Sequence, residues 1–106
     1  MPTEMAAPPP PDLVLYTRAG CSLCEEARHY VQALLEDRAA RSQPTARLVE
    51  RDIDAEEALH DQLFEKIPVL DLNGRRLELA VSAARIRRFI EEELDERRAA
   101  AMDRLA

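Results

Sequence analysis

The sequence reads LVLYTRAGCSLCEEA over residues 13–27, and this stretch determines the fold around it. Residues 13–17 form a continuous run of strand-forming side chains, which predicts a strand buried on both faces. The next three residues predict a turn. After the turn, apolar residues recur at helical spacing and predict a helix over residues 22–40. The stretch therefore places Cys21 and Cys24 where a strand ends and a helix begins.

A second strand and a short helix are predicted after the first helix. Residues 46–53 predict the strand, and the charged side chains within it suit the edge of a sheet better than its centre. Asp54, followed three residues later by Glu57, resembles a capping box and predicts a helix through about Phe64. The strand, helix, strand order of this first half predicts a parallel βαβ unit with a right-handed crossover.

The second half of the chain predicts a hairpin and a closing helix. Strands over residues 67–72 and 76–79 flank Asn73-Gly74, a dipeptide that favours a two-residue hairpin turn because both positions tolerate positive φ. From Ser82 a helix is predicted, and four apolar side chains share its inner face: Ile86, Phe89, Ile90 and Leu94. The predicted order is βαβαββα, an α/β fold with a four-stranded mixed sheet flanked by helices.

The domain organisation follows from length and proline content. The 106 residues suit one domain. Residues 1–11 are rich in proline, which lacks a backbone donor and fixes φ, and they predict a disordered arm. The folded domain is expected over residues 12–98. Residues 99–106 are expected to be a helical or frayed tail, because apolar spacing fades after Leu94.

Charge and hydropathy exclude several classes of protein. The net charge is −6, and the arginines alternate with acidic residues, which argues against nucleic acid as a partner. No apolar run has the length of a signal sequence or of a membrane span, so no membrane association is expected. We expect a soluble, cytoplasmic protein. Structural disulfides are rare in that compartment, which favours redox chemistry or metal binding for two closely spaced cysteines.

The position of the cysteines predicts different roles for them. A helix N-terminus presents unpaired N–H groups and a partial positive charge, which lower the pKa of Cys21 from the free value of about 8.5. Arg18 adds positive charge nearby, whereas Glu25 opposes it. Cys24 lies one turn into the helix on its apolar stripe. We therefore expect Cys21 to attack a disulfide and Cys24 to resolve the mixed disulfide.

Three other interpretations of the cysteines remain open. They could be two unlinked, buried structural thiols. A zinc ion needs four ligands, or three and a water molecule, but the two histidines that could join, His29 and His60, lack ligand spacing, so no metal site is predicted. An iron–sulfur cluster shared between two chains needs only one or two thiolates from each, and would make the protein a metal carrier.

The strand, C-x-x-C pair and helix, combined with a later Ile-Pro-Val, resemble the glutaredoxin branch of the thioredoxin superfamily. The similarity is greatest to its small members whose site reads G-C-x-L-C. The matching segments are LVLYTRAGCSLCEEA (13–27), VERDID (49–54), KIPVLDLNGRRLE (66–78) and the helix from Ser82. The resemblance implies a thioredoxin-like fold and a thiol–disulfide oxidoreductase. Its substrates would be protein disulfides or glutathione mixed disulfides.

The resemblance also implies roles for residues outside the cysteine pair. Ile67-Pro68 would be a cis peptide beside the cysteines, where the backbone of Ile67 pairs with an extended substrate or with glutathione. Arg18 occupies the position of a Lys or Arg that contacts a glutathione carboxylate. Ser82 is expected to cap the final helix, where backbone N–H groups face a carboxylate.

The sequence departs from the glutaredoxin pattern at two places. Ser22 and Leu23 fill the middle of the motif, where proline is common in the first position. Residues 80–83 read AVSA where glutathione-using members carry a Gly-Gly turn and an Asp. A binding module that has kept the fold and lost turnover is therefore a further alternative.

The expected ligands and partners follow from the same resemblance. We expect no tightly bound cofactor and treat glutathione as a candidate co-substrate. The expected partners are disulfide-bonded or glutathionylated proteins and a reductase. We expect the protein to be a monomer.

Overall fold

Four strands and three α-helices make up the fold. The structure is a computed structural model that describes residues 9–105, and the side chains of residues 9–96. Its elements are β1 (Asp12–Thr17), α1 (Ser22–Ala40), β2 (Arg47–Asp52), α2 (Glu57–Leu63), β3 (Val69–Leu72), β4 (Arg75–Leu77) and α3 (Ala83–Leu105), with a 3-10 turn at Ile53–Ala55. The predicted order βαβαββα is confirmed. Among the described residues, no helix is long and apolar enough to cross a membrane.

The strands form one mixed sheet with the order β2-β1-β3-β4. β1 pairs in parallel with β2 and antiparallel with β3, and β3 pairs antiparallel with β4. β1 is therefore a central strand, and β2 lies at an edge, where its charged side chains reach solvent. This sheet, with a parallel first half and a hairpin second half, is that of the thioredoxin-like fold.

Alternation along β1 divides the core between the two faces of the sheet. Leu13 and Leu15 point to the face covered by α1 and α3, and neither has exposed surface. Tyr16 points to the other face, where it packs with Ile53, Leu63 and Val69. The buried residues of the larger cluster are Leu13, Leu15, Ala27, Val31, Leu34, Leu35, Ala46, Leu70, Leu72, Ala80, Ile86, Phe89, Ile90 and Leu94. Both apolar helix faces predicted from the sequence lie in this cluster.

The predicted start of the second helix at Asp54 is wrong. The Asp52 side chain accepts the N–H of Asp54 at 2.8 Å, and this local bond stabilises the 3-10 turn instead. α2 begins at Glu57, and its N-cap residue Glu56 makes no side-chain capping bond. The carboxylate of Asp54 pairs with Arg18, at 2.9 Å from its Nε.

The hairpin is shorter than predicted. The N–H of Ile67 donates to the carbonyl of Leu63 at 3.1 Å, which closes α2 and delays β3 to Val69. β4 ends at Leu77, because Leu79 has a φ of 50° and donates its N–H to the carbonyl of Lys66. The turn at Asn73-Gly74 is confirmed, and both residues have positive φ.

Two of the expected chain segments lie at the ends of the described region. The proline-rich arm, residues 1–11, falls largely outside the described residues, which begin at residue 9. At the other end α3 continues through residues 99–105 as a helix, beyond the point at which apolar spacing fades.

A buried arginine joins three parts of the fold. Arg38 continues the apolar stripe of α1 and is only 5% exposed. Its Nε donates to the carbonyl of Pro44 at 2.6 Å, and its Nη2 lies 2.6 Å from the Asp95 carboxylate of α3. The guanidinium therefore holds the end of α1, the connection to β2 and the middle of α3 together.

Replacing Arg38 with Met should lower the free energy of unfolding by about 1–3 kcal/mol, since two hydrogen-bonded partners lose a charged donor. Urea unfolding followed by circular dichroism measures this change. Arg41→Met is the matched control. Arg41 pairs with Asp37 on the exposed surface of the same helix, where loss of the pair costs about 0.3–0.5 kcal/mol. Equal losses from the two variants would contradict the structural role assigned to Arg38.

Candidate active site

The two cysteines lie at the first turn of α1, directly after the central strand. Gly20 has a φ of 77°, a backbone conformation that glycine adopts without steric cost, and it turns the chain from β1 into the helix. Cys21 is the N-cap residue, and its Sγ accepts the N–H of Cys24 at 3.1 Å. The pair forms a disulfide, and the two Cα atoms are 5.2 Å apart.

The helix end favours negative charge on Cys21 once the disulfide is reduced. Sulfur occupies the position that a hydroxyl or carboxylate oxygen takes in an ordinary helix cap. The N–H of Cys24 and the positive end of the helix dipole both point at it. Glu25 lies in the same turn, but its carboxylate pairs with Arg28 at 2.9 Å, which reduces its repulsion of a thiolate.

The two sulfurs differ in exposure, as the sequence predicts. Cys21 is half-buried and borders solvent, whereas Cys24 is 2% exposed and packs on the apolar side of α1. An incoming disulfide therefore reaches Cys21 first. Cys24 is placed to attack from behind, within the small ring that the pair can close.

A polar cleft of about 430 Å³ opens beside the cysteines. It brings Arg18 together with both cysteines, but Ile67, Pro68 and Ser82 do not line it. Its two cationic side chains are paired with acids. Arg18 lies 2.9 Å from the Asp54 carboxylate, and Arg28 contacts Glu25 and, at 3.7 Å, Glu50. The positive charge that the sequence predicts from Arg18 is therefore offset by a neighbouring carboxylate.

The Ile67-Pro68 peptide is cis and lies at the same end of the sheet as the cysteines. This placement follows from strand register, since Val69 pairs with Tyr16 near the end of β1. Pro68 is buried, and its carbonyl accepts the N–H of Ala80 at 2.8 Å. The N–H of Ile67 is bonded to Leu63, so a substrate strand that pairs here would use the carbonyl of Ile67.

Ser82 caps α3. Its Oγ accepts the N–H of Arg85 at 3.3 Å, as expected for a serine that precedes a helix. The side chain is thus engaged by its own helix. Its neighbours Val81 and Ala83 line a groove against α1 on the Leu23 side of the cysteine pair.

Leu23 and Val81 are surface residues that the sequence prediction did not single out as part of the site. Both are about half exposed, at 50% and 51%. They line the same shallow groove, of about 220 Å³, between α1 and the start of α3. Each lies one residue away from a predicted site residue, and large apolar side chains off the buried stripe were the available signal.

Metal binding gains no support from the side-chain arrangement. In the part of the chain that the structure describes, no group of three or more His, Cys, Asp or Glu residues could hold a metal ion. His60 stacks on Phe64 with ring centroids 5.3 Å apart and lies near Asp54, while His29 is exposed on α1 beside Arg28.

Comparisons with known proteins place this chain in a family. A search of curated proteins found no match. A solution NMR structure of a protein from Nitrosomonas europaea is 30% identical, covering 70% of this chain and 80% of that one, with a TM-score of 0.48. The family model described as the glutaredoxin-like domain (DUF836) matches residues 12–97, which include the whole sheet and both cysteines. The chain therefore belongs to the glutaredoxin-like domain family.

Proposed function

We propose that the protein is a dithiol thiol–disulfide oxidoreductase that reduces disulfides through Cys21 and Cys24. The observation that carries this proposal is the N-cap contact, in which the Cys21 Sγ accepts the N–H of Cys24 at 3.1 Å. The family match supports a redox role for the pair. The different exposure of the two sulfurs supports the division between an attacking and a resolving cysteine.

The proposed reaction begins with both cysteines reduced. The Cys21 thiolate attacks one sulfur of the substrate disulfide, that bond breaks, and the other sulfur leaves as a thiolate and takes a proton. Cys24 then loses its proton and attacks the Cys21 sulfur of the mixed disulfide. The second substrate thiol is released, and the Cys21–Cys24 disulfide forms. The substrate gains two electrons and two protons, and the protein loses the same number.

The reduced state must then be restored by an external thiol. We propose glutathione or a reductase as the electron donor, and disulfide-bonded or glutathionylated proteins as the substrates. The polar cleft beside the cysteines has room for a small thiol. Because Arg18 and Arg28 are both ion-paired, however, a glutathione carboxylate would compete there with Asp54, Glu25 and Glu50.

Substitution of the two cysteines separates their roles. Cys21→Ser should abolish disulfide reduction, because the attacking sulfur is lost. Cys24→Ser should accumulate a covalent complex between Cys21 and the substrate, because nothing resolves it. Activity is measured with a glutathionylated peptide and an excess of reductant, and the complex is detected by mass spectrometry under non-reducing conditions.

Ser22→Ala is the matched control, since Ser22 lies between the cysteines, is exposed and makes no side-chain bond in the described part of the chain. It should retain most of the activity. Full activity of Cys21→Ser would refute the assignment of the nucleophile. Inactivity of the unsubstituted protein on every disulfide would favour the binding module or the metal carrier.

The helix end should make Cys21 more reactive at neutral pH than a free cysteine. We expect the rate of alkylation by iodoacetamide to rise with a midpoint below about pH 8.5, the value for a free thiol. The Cys24→Ser variant isolates Cys21 for this measurement. A midpoint at or above the free value would contradict thiolate stabilisation by the cap, whatever the fold.

Redox titration against glutathione buffers tests whether the pair behaves as a dithiol couple. We expect conversion from dithiol to intramolecular disulfide with no lasting glutathione adduct, since Cys24 displaces glutathione from Cys21. Mass spectrometry of acid-quenched samples distinguishes the three species. Cys24→Ser should retain the adduct. A stable adduct on the unsubstituted protein would contradict the resolving role of Cys24.

A further inference from the structure

We propose that the groove lined by Leu23 and Val81 binds an apolar side chain that flanks the disulfide attacked by Cys21. The groove would thereby select extended protein segments over glutathione. This inference rests on the proposed oxidoreductase function and assigns its substrate class. It concerns a surface on the α3 side of the cysteine pair, separate from the polar cleft that contains Arg18.

The first support is the exposure of two large apolar side chains in one place. A single exposed leucine or valine on a protein surface is ordinary. Here Leu23 and Val81 are each about half exposed and line the same groove. The small or buried residues of its lining are Ala27, Ala80, Ala83 and Ile86. Apolar atoms therefore border the groove from both α1 and the start of α3.

The second support is the continuity of the groove with the cysteine pair. Leu23 lies between Cys21 and Cys24 in the chain, so an apolar side chain seated against it lies close to the reacting sulfurs. The opposite wall is fixed by backbone bonds. Ala80 donates its N–H to the carbonyl of Pro68, and Val81 donates to that of Leu79, both at 2.8 Å. The groove is thus formed before a substrate arrives.

The third support is charge. Glu26 is the one charged side chain that lines the groove, and it makes no ion pair among the described residues. Glutathione carries two carboxylates and no large apolar side chain, so it would meet repulsion from Glu26 and gain little from Leu23 and Val81. A peptide segment with an apolar residue beside its cysteine, and neutral or basic neighbours, matches the groove in both respects.

A single-turnover experiment with paired substrates tests this inference. The fully reduced protein is mixed with a disulfide-linked homodimer of a short peptide, Gly-X-Cys-X-Gly with blocked ends, in which X is Leu or the similarly sized Asn. Each turnover oxidises Cys21 and Cys24 to their disulfide and converts one peptide dimer into two thiols. The Leu peptide should react about fivefold faster, because a half-open groove recovers only part of the gain from burying a leucine.

Two variants and one control connect the preference to the groove. Leu23→Asn and Val81→Thr each replace apolar atoms by polar ones at nearly constant volume, and each should reduce the Leu-to-Asn rate ratio toward one. Leu79→Asn is the control. Leu79 is equally exposed, at 49%, but does not line the groove, and asparagine tolerates its positive φ. This variant should keep the ratio of the unsubstituted protein.

The outcomes separate the two proposals. A ratio near one in the unsubstituted protein, with both peptides reduced, overturns the groove inference and leaves the oxidoreductase function standing. An equal loss of preference in Leu79→Asn also overturns it, since the preference would then belong to a general apolar surface. Failure to reduce either peptide or a small disulfide such as hydroxyethyl disulfide overturns the proposed function, and the inference with it.

Discussion

The hydrogen bond from the Cys24 N–H to the Cys21 sulfur links the fold to its proposed chemistry. A helix that begins directly behind a central strand exposes its first N–H groups at the end of the sheet. In most helices an oxygen accepts one of these bonds. Here sulfur does, so the group that starts α1 is also the group that can attack a disulfide. The positions of the cleft, the groove and the Pro68 loop are all defined relative to this helix start.

Most of the fold could be predicted because its main elements are locally consistent. The apolar run of β1, the helical stripe of α1 and the Asn73-Gly74 turn each favour one conformation, and these conformations are compatible in a single sheet. The position of the cysteines followed from the same elements. The start of α2 was missed because two aspartates compete for the same N–H groups. Asp54 resembles a cap by spacing, but Asp52 forms the bond that decides the local geometry.

The surroundings of the cysteines were harder to predict, because they depend on residues far apart in the sequence. Arg18 is paired with Asp54, which lies 36 positions later, and this ion pair changes what a nearby anion would meet. Arg38 sits where the apolar stripe of α1 calls for a leucine, and only the fold reveals its partners Pro44 and Asp95. Val81 joins Leu23 in one groove because α3 packs against α1, a contact that local sequence patterns do not specify.

The different ranges of the charges around Cys21 have a consequence for its dependence on ionic strength. The Arg18–Asp54 pair is exposed, so dissolved salt weakens its field over a distance of about 8 Å at physiological concentration. The backbone N–H that contacts the Cys21 sulfur lies well inside that distance and is fixed by the helix. The nucleophile thus draws its activation from a source that counterions scarcely reach, and its reactivity should vary little between dilute buffer and the crowded, salty interior of a cell.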